Sequence, residues 1–276
     1  MGEGGQVKGR RGALLSRLLL MCVAFERRER SIVYRVAKRI VDDVNNDNNC
    51  DPLTNGERRF LVDNVEDGHV IFDVGANRGT WTKLCLTVGK KVTVHSFEPS
   101  VTVFASLAEN VQGSSVSLNN CGMGATAERA YLRLADGISE LNSLYDRRGV
   151  SIGVKGHEPV VLTTVDFYCE ANNIERIDLI KIDVEGHELE VLKGCDRMLR
   201  EERIGLIQFE YGGCDIDSRV FLGDILAFVK TVNAKATVYK LLPNCVAEIR
   251  EYSQGLETFQ YANYIIGVAR NPKGIV

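Results

Sequence analysis

Most of the side chains able to bind a ligand or move a proton in a coherent pattern fall in two short runs. The first is Asp73-Val74-Gly75-Ala76-Asn77-Arg78-Gly79. Between a strand and a helix, such a turn lets the main chain come close to a ligand, because Gly75 and Ala76 lack side chains that would stand in the way. Asp73 can meet an ammonium or ribose group there. Glu98 ends the next strand in FEPS, where a carboxylate can accept hydrogen bonds from the vicinal hydroxyls of a ribose. Pro99 then stops the strand and turns the chain. Taken singly these are a tight turn and a solvated acid; together they describe a nucleoside pocket. The spacing departs from G-x-G-x-x-G and no P-loop G-x-x-x-x-G-K-[ST] occurs, so the ligand need not carry a pyrophosphate.

The second run, Ile180-Lys181-Ile182-Asp183-Val184-Glu185-Gly186-His187-Glu188, puts several ionisable groups where a strand meets a helix. Ligands of open α/β sheets gather outside the carboxyl ends of strands. Strand alternation sends Lys181 and Asp183 to one face, so the two are expected side by side. One reading is a buried ion pair followed by Glu185 and Glu188 at a helix N-terminus, where acids meet the helix dipole favourably. The other is catalytic: Asp183, supported by Lys181, Glu185 and Glu210 at the end of the next strand, orients or deprotonates an acceptor hydroxyl, or Asp183 and Glu210 hold a divalent metal such as Mg2+ that does so. His187 is the alternative imidazole base, placed one turn into the helix.

These residues need a parallel sheet to position them. HVIFDVG reads as a strand, the segment with Trp81, Leu84 and Leu86 as a helix, VTVHSFEP as a strand, VTVFASLAENV as a helix and SVSLNN as a strand, which is the alternation of a Rossmann-like α/β domain. AYLRLAD and EPVVLTTV read as strands flanking a polar, glycine-rich flap. Alternation resumes with TVDFYCEANN as a helix, IDLIKIDV as a strand, HELEVLKGCDRMLR as one helix and IGLIQFEY as a strand, and the sheet should close with ATVYKLL and NYIIGVA. Upstream, SIVYRVAKRIVDDV has helical spacing and TNGERRFLVDNV offers one more short helix. The expected division is a flexible start and helical cap over 1–66 and the main domain over 67–276.

The chain has 276 residues, 45% of them hydrophobic and 26% charged, with a net charge of -3. That composition supports one full core and gives no global attraction to nucleic acid. The first forty residues are locally basic, with Arg27, Arg28, Arg30, Arg35, Lys38 and Arg39 among them, and could touch an anionic surface. The apolar run from Ala13 to Phe25 is broken by Arg17 and followed by ERRER, too short and interrupted for a membrane span. Eight cysteines without a Cys-x-x-Cys pair argue against a zinc finger and for buried free thiols in a reducing, cytoplasmic setting.

DVGANRG, FEPS, TTVDFY, LIKIDVEGHELEVLKG and IQFEY together, in this order and spacing, resemble the FkbM-type methyltransferase family over roughly residues 70 to 212. The resemblance implies a class I S-adenosylmethionine fold with a seven-stranded, mostly parallel sheet whose last strand is antiparallel, and methyl transfer to oxygen of a small-molecule or saccharide acceptor. By position it implies that Asp73, Gly75, Asn77 and Gly79 line the methionine and ribose end of the cofactor, that Glu98 binds the ribose hydroxyls, and that Asn120 and Cys121 lie near the adenine. Ser143 matches a flap serine that helps close the site, and Glu210 a glutamate that commonly ends the fifth strand. The rival readings are an NAD-linked oxidoreductase, disfavoured by the glycine spacing, and an inactive methyltransferase-fold scaffold.

Overall fold

The structure, a computed structural model, describes residues 32–88, 91–148 and 153–276. The basic and apolar stretches before residue 32 lie outside the described residues. The chain forms two compact units, Met1–Asp47 and Asn48–Val276. In the first, α1 (Ile32–Asn45) carries exposed Ile32, Val36, Ile40 and Val44, whose spacing of four aligns them on one face. Its polar surface carries the ion pairs Lys38–Asp42 and Arg39–Asp43, one turn apart.

The second unit begins well before residue 67. Its short helix α2 (Glu57–Asn64) buries Phe60 and Leu61, and its buried Glu57 accepts a hydrogen bond from Gln208 in the middle of the sheet. Residues 48–66 are therefore part of the main unit and not of a separate cap.

That unit is built on a sheet of eight strands, β1 (Val70–Val74), β2 (Thr93–Phe97), β3 (Val116–Asn119), β7 (Ile177–Ile182), β8 (Ile204–Tyr211), β9 (Thr237–Leu241), β10 (Val246–Glu248) and β11 (Ala262–Gly267). They lie in the order β10-β9-β11-β8-β7-β1-β2-β3. Strands β3, β2, β1, β7 and β8 pair in parallel, and β11 runs antiparallel between β8 and β9. The seven expected strands are present, and short β10 adds an antiparallel edge that the sequence did not announce. The central strands are buried on both faces, as a parallel sheet covered by helices demands.

Ile180, Ile182, Ile207 and Phe209 pack on one side with α5 (Val165–Ala171), α6 (Glu188–Lys193), α7 (Asp196–Arg200) and α9 (Leu222–Val232). Ile71, Val94, Leu179 and Leu206 pack on the other with α2 and α3 (Thr80–Thr87). The segment expected as one helix from His187 to Arg200 is two, interrupted at Gly194 and Cys195. A Cβ on Gly194 would come within 2.1 Å of the Gly124 carbonyl oxygen, so this break is where the helix layer meets a second sheet.

The second sheet comprises β4 (Gly122–Met123), β5 (Glu128–Ala135) and β6 (Val154–Thr163), in the order β4-β6-β5. Strands β5 and β6 are antiparallel, and Leu132, Val160 and Leu162 form its own small core. The flap between them is tied back to β5 by the Arg133–Ser143 bridge. α4 (Val101–Asn110) covers the edge after β2, its first turn capped by Ser100.

Candidate active site

The carboxyl ends of β1, β2, β7 and β8 converge because parallel strands present them on one edge of the sheet. A cavity of about 520 Å3 opens there, within the range of small-ligand and cofactor sites. One end is formed by Gly75, Ala76, Asn77, Glu98 and Pro99, and the other by Lys181, Asp183, Glu185, His187 and Glu210.

At the first end the backbone dictates the residue types. Gly75 has φ +83°, and a Cβ there would fall 1.8 Å from the Asp183 carbonyl oxygen. Only glycine lets the two turns touch. Asn77 has φ +46°, a left-handed conformation that asparagine tolerates better than most residues. Its amide N–H donates to Glu98 Oε2 at 3.0 Å, and the Ser100 N–H donates to Glu98 Oε1 at 2.9 Å. Glu98 is thus aimed by two turns at once. Burial pushes its pKa up to about 7 against the opposing pull of these N–H groups. Each oxygen keeps acceptor capacity for a ligand hydroxyl.

Asp73 does not line the cavity. It is fully buried beneath the turn, where its Oδ2 accepts from the Thr82 hydroxyl at 2.6 Å, and that hydroxyl lies 2.8 Å from Ser96 Oγ. The expected ligand contact is instead a floor beam joining β1, α3 and β2. Four more expected cofactor contacts, Gly79, Asn120, Cys121 and Ser143, are also one step removed from the cavity. Gly79 is left-handed at φ +85°, and a Cβ there would also meet Val111 and Leu107 at 2.4 and 2.8 Å, so it shapes the turn from below. Asn120 donates to the carbonyls of Glu98 and Pro99 and braces that turn, and Cys121 stands beside it while Gly122 and Met123 reach the cavity. Ser143 is buried and donates to the Glu185 carbonyl at 2.7 Å, so it latches the flap to the second motif.

At the second end, Lys181 and Asp183 form the expected pair at 2.7 Å. Burial would lower the Lys181 pKa, but the charges of Asp183, Asp73 and Glu57 outweigh it and raise the value. Glu210 is raised well above the ordinary carboxyl range by burial and by the charges of Asp183 and Glu185. Glu185 is pushed up to about 7, first by burial and then by Asp183. It sits at φ +55°, a strained position for a glutamate, and is held there by Arg147 of the flap, which also pairs with Asp217. His187 precedes α6 instead of lying a turn inside it. Its Nδ1 is 2.9 Å from the Tyr145 hydroxyl, and burial lowers its pKa toward the neutral imidazole. The other three histidines do not line the cavity.

One carboxylate oxygen from each of Asp183, Glu185 and Glu210 lies within 4.8 Å of the others. These hard oxygen donors suit Mg2+ in type, but the Lys181 ammonium already stands on Asp183 and supplies positive charge at that point.

Several wall residues carry no motif signal in the sequence. Cys50, Pro52, Glu57 and Tyr261 come from segments far from either motif, and Leu132, Leu141, Leu144 and Arg147 from the second sheet and its flap. Trp81 had a signal, since it lies two residues past Gly79 in the first helical turn. Its Nε1–H is buried without a hydrogen-bond partner among the described residues, in the cavity wall, where an acceptor entering the cavity can take it.

The strand order with its reversed β11, and a glycine turn facing an acid across the strand ends, define the class I methyltransferase fold, a Rossmann-like α/β design. The chain belongs to the methyltransferase FkbM domain family, whose model matches residues 73–241. Among curated relatives, the hexuronic acid methyltransferase AglP of Haloferax volcanii is 27% identical over 154 residues, 56% of this chain and 61% of that protein. Methyltransferase 1 of Beauveria bassiana is 28% identical over 148 residues, 47% of this chain and 59% of that one. The match thus spans about three fifths of these relatives. Among solved structures, a SAM-dependent methyltransferase from Agrobacterium tumefaciens gives a TM-score of 0.43 at 10% identity, covering 80% of this chain and 63% of that chain. An rRNA methylase from Streptococcus thermophilus gives 0.40 at 11%, covering 78% and 95%. At that level the fold rests on this chain's own strand order. No helix among the described residues is long and apolar enough to cross a membrane.

Proposed function

We propose that this chain is an S-adenosylmethionine-dependent O-methyltransferase acting on a hydroxyl of a small, saccharide-like acceptor. The observation that carries the reading is a single cavity with Glu98 and the Asn77 turn at one end and the Lys181–Asp183–Glu210 group at the other. Glu98 would hold the ribose hydroxyls, the glycine cradle at Gly75 would admit the nucleoside against main chain, and Trp81 Nε1 would donate to an acceptor atom of the ligand. When bound, the cofactor supplies an electrophilic methyl group. The remaining tasks, holding an acceptor oxygen in line and taking its proton, fall to this chain. Asp183, aimed by Lys181, takes the proton, while Glu210 beside it stays protonated and donates a hydrogen bond, a division set by their different surroundings. The membership of the FkbM family and the hexuronic acid methyltransferase among the relatives support a sugar hydroxyl. His187 would be the base only if Asp183 proved dispensable.

The test has two arms. Calorimetry should show binding of S-adenosylhomocysteine and none of NAD. Methyl-labelled S-adenosylmethionine should then pass label to the oxygen of members of a panel of neutral and uronic sugars. Binding of NAD in preference, or label on nitrogen or carbon alone, would overturn the reading.

A further inference from the structure

Beneath the turns that carry the cavity's acids lie two acids that the function above does not use. Glu188 opens α6, and Asp215 lies in α8 (Cys214–Ser218); both are completely buried. Glu188 Oε1 accepts from the Val184 N–H at 3.0 Å, and Asp215 Oδ2 from the Gly212 N–H at 2.9 Å. Each acid therefore holds the turn that precedes its own helix. The other two oxygens, Glu188 Oε2 and Asp215 Oδ1, are buried without a hydrogen-bond partner among the described residues. One ligating atom each from Glu188, Cys214 and Asp215 lies within 4.8 Å of the others. The two turns are in close approach, since a Cβ on Gly186 would come 3.0 Å from the Cys214 carbonyl oxygen.

We propose that Glu188 and Asp215 share one proton between their two otherwise unpartnered oxygens, and that this bridge fixes the β7–α6 turn against the β8–α8 turn. Two carboxylates buried side by side cannot both ionise, and one proton satisfies both orphaned oxygens. Among the described residues the surroundings offer no competing cation. The groups that interact with the pair are Asp183, Glu185, Glu257, Cys214, Tyr145 and Tyr211, all acidic or neutral, while Arg147 is engaged by Glu185 and Asp217. Burial, and the charge of Asp215, raise Glu188 well above its ordinary value, and burial pushes Asp215 up to about 7. Glu188 and Asp215 are positioning residues: the Val184 N–H sits between Asp183 and Glu185, and the Gly212 N–H lies two residues past Glu210, so the bridge sets the spacing of the acceptor-side acids. That last consequence rests on the methyltransferase reading; the bridge itself does not.

The experiment compares the full-length protein with Glu188→Gln, Asp215→Asn and Glu188→Ala. Infrared difference spectra at neutral pH should show a protonated carboxyl band in the wild type that is lost in both E188Q and D215N, because each removes the shared proton. The side-chain amide introduced by E188Q can still donate to Asp215 and accept from Val184, so this variant should keep wild-type-like turnover and should not share the fall in turnover that loss of the bridging proton at alkaline pH should produce in the wild type. E188A should lose about 100-fold, the scale of an ångström-level misplacement. Three results would overturn the proposal: no band difference in either amide variant, E188Q as inactive as E188A while folded by circular dichroism, or a stoichiometric metal ion that disappears with Cys214→Ser. If no methyl transfer is found for any variant, the methyltransferase reading fails while the infrared comparison still decides the bridge.

Discussion

Replacing Glu98 by Gln tests the nucleoside end of the cavity with one atom changed. Both carboxylate oxygens accept a backbone N–H, from Asn77 at 3.0 Å and Ser100 at 2.9 Å. An amide NH2 in place of either oxygen would face a donor and could not accept from a ribose hydroxyl. A hydrogen bond to a charged group contributes about 1.5–3 kcal/mol, so losing one weakens cofactor binding roughly 10- to 150-fold. The donor facing a donor should also cost about 1–3 kcal/mol of stability.

The pH dependence sharpens the test. In the free protein Glu98 titrates near 7, and hydrogen bonds from ligand hydroxyls favour its ionised form and lower that value in the complex. Affinity is therefore full above the free-protein value of about 7 and falls about tenfold per pH unit below it. Calorimetric titration of S-adenosylhomocysteine at pH 8 and pH 6 should show this slope in the wild type and none in E98Q. Wild-type affinity in a folded E98Q would refute the assignment of Glu98 to the ribose.

Asp183→Asn should leave S-adenosylhomocysteine affinity close to wild type but lower turnover by about 10²–10⁴-fold, and unchanged turnover would remove Asp183 from the mechanism. Lys181→Met strands Asp73, Asp183 and Glu57 around a buried gap; breaking a buried pair costs about 3–5 kcal/mol, or a Tm drop on the order of 10 °C, and a neutral result by calorimetric melting would mean that the carboxyls protonate instead. Because Lys181 supplies the positive charge at Asp183, activity should survive exhaustive chelation; loss restored by Mg2+ would place a cation among Asp183, Glu185 and Glu210. Glu98, Glu185 and Asp215 titrate near 7 and Glu188 and Glu210 are raised further. The native state then binds more protons than the unfolded chain between about pH 4.3 and 7, so stability falls as pH rises across that window. Tm should be higher at pH 6 than at pH 8, and the reverse order would show these acids ionised in the native state.

The order of strands and helices, the glycine turn, the acid after β2 and the adjacency of Lys181 and Asp183 were legible in the sequence. These follow from short-range rules, namely apolar periodicity, turn chemistry and the alternation of side chains along a strand. Burial and partner choice were not, because they depend on segments far apart in the chain. Asp73 lies under the cavity because Thr82 and Ser96 close over it, and Asn120 and Ser143 brace turns because their donors meet carbonyls of Glu98, Pro99 and Glu185. Glu57 reaches the site because Gln208, 151 residues away, holds it, and Arg147 because the flap folds back onto Glu185. Local sequence pattern was enough to say which strand ends carry chemistry. Tertiary packing alone decided which of those side chains face the cavity and which hold it up, since only long-range contacts can desolvate a carboxyl and hand it a partner.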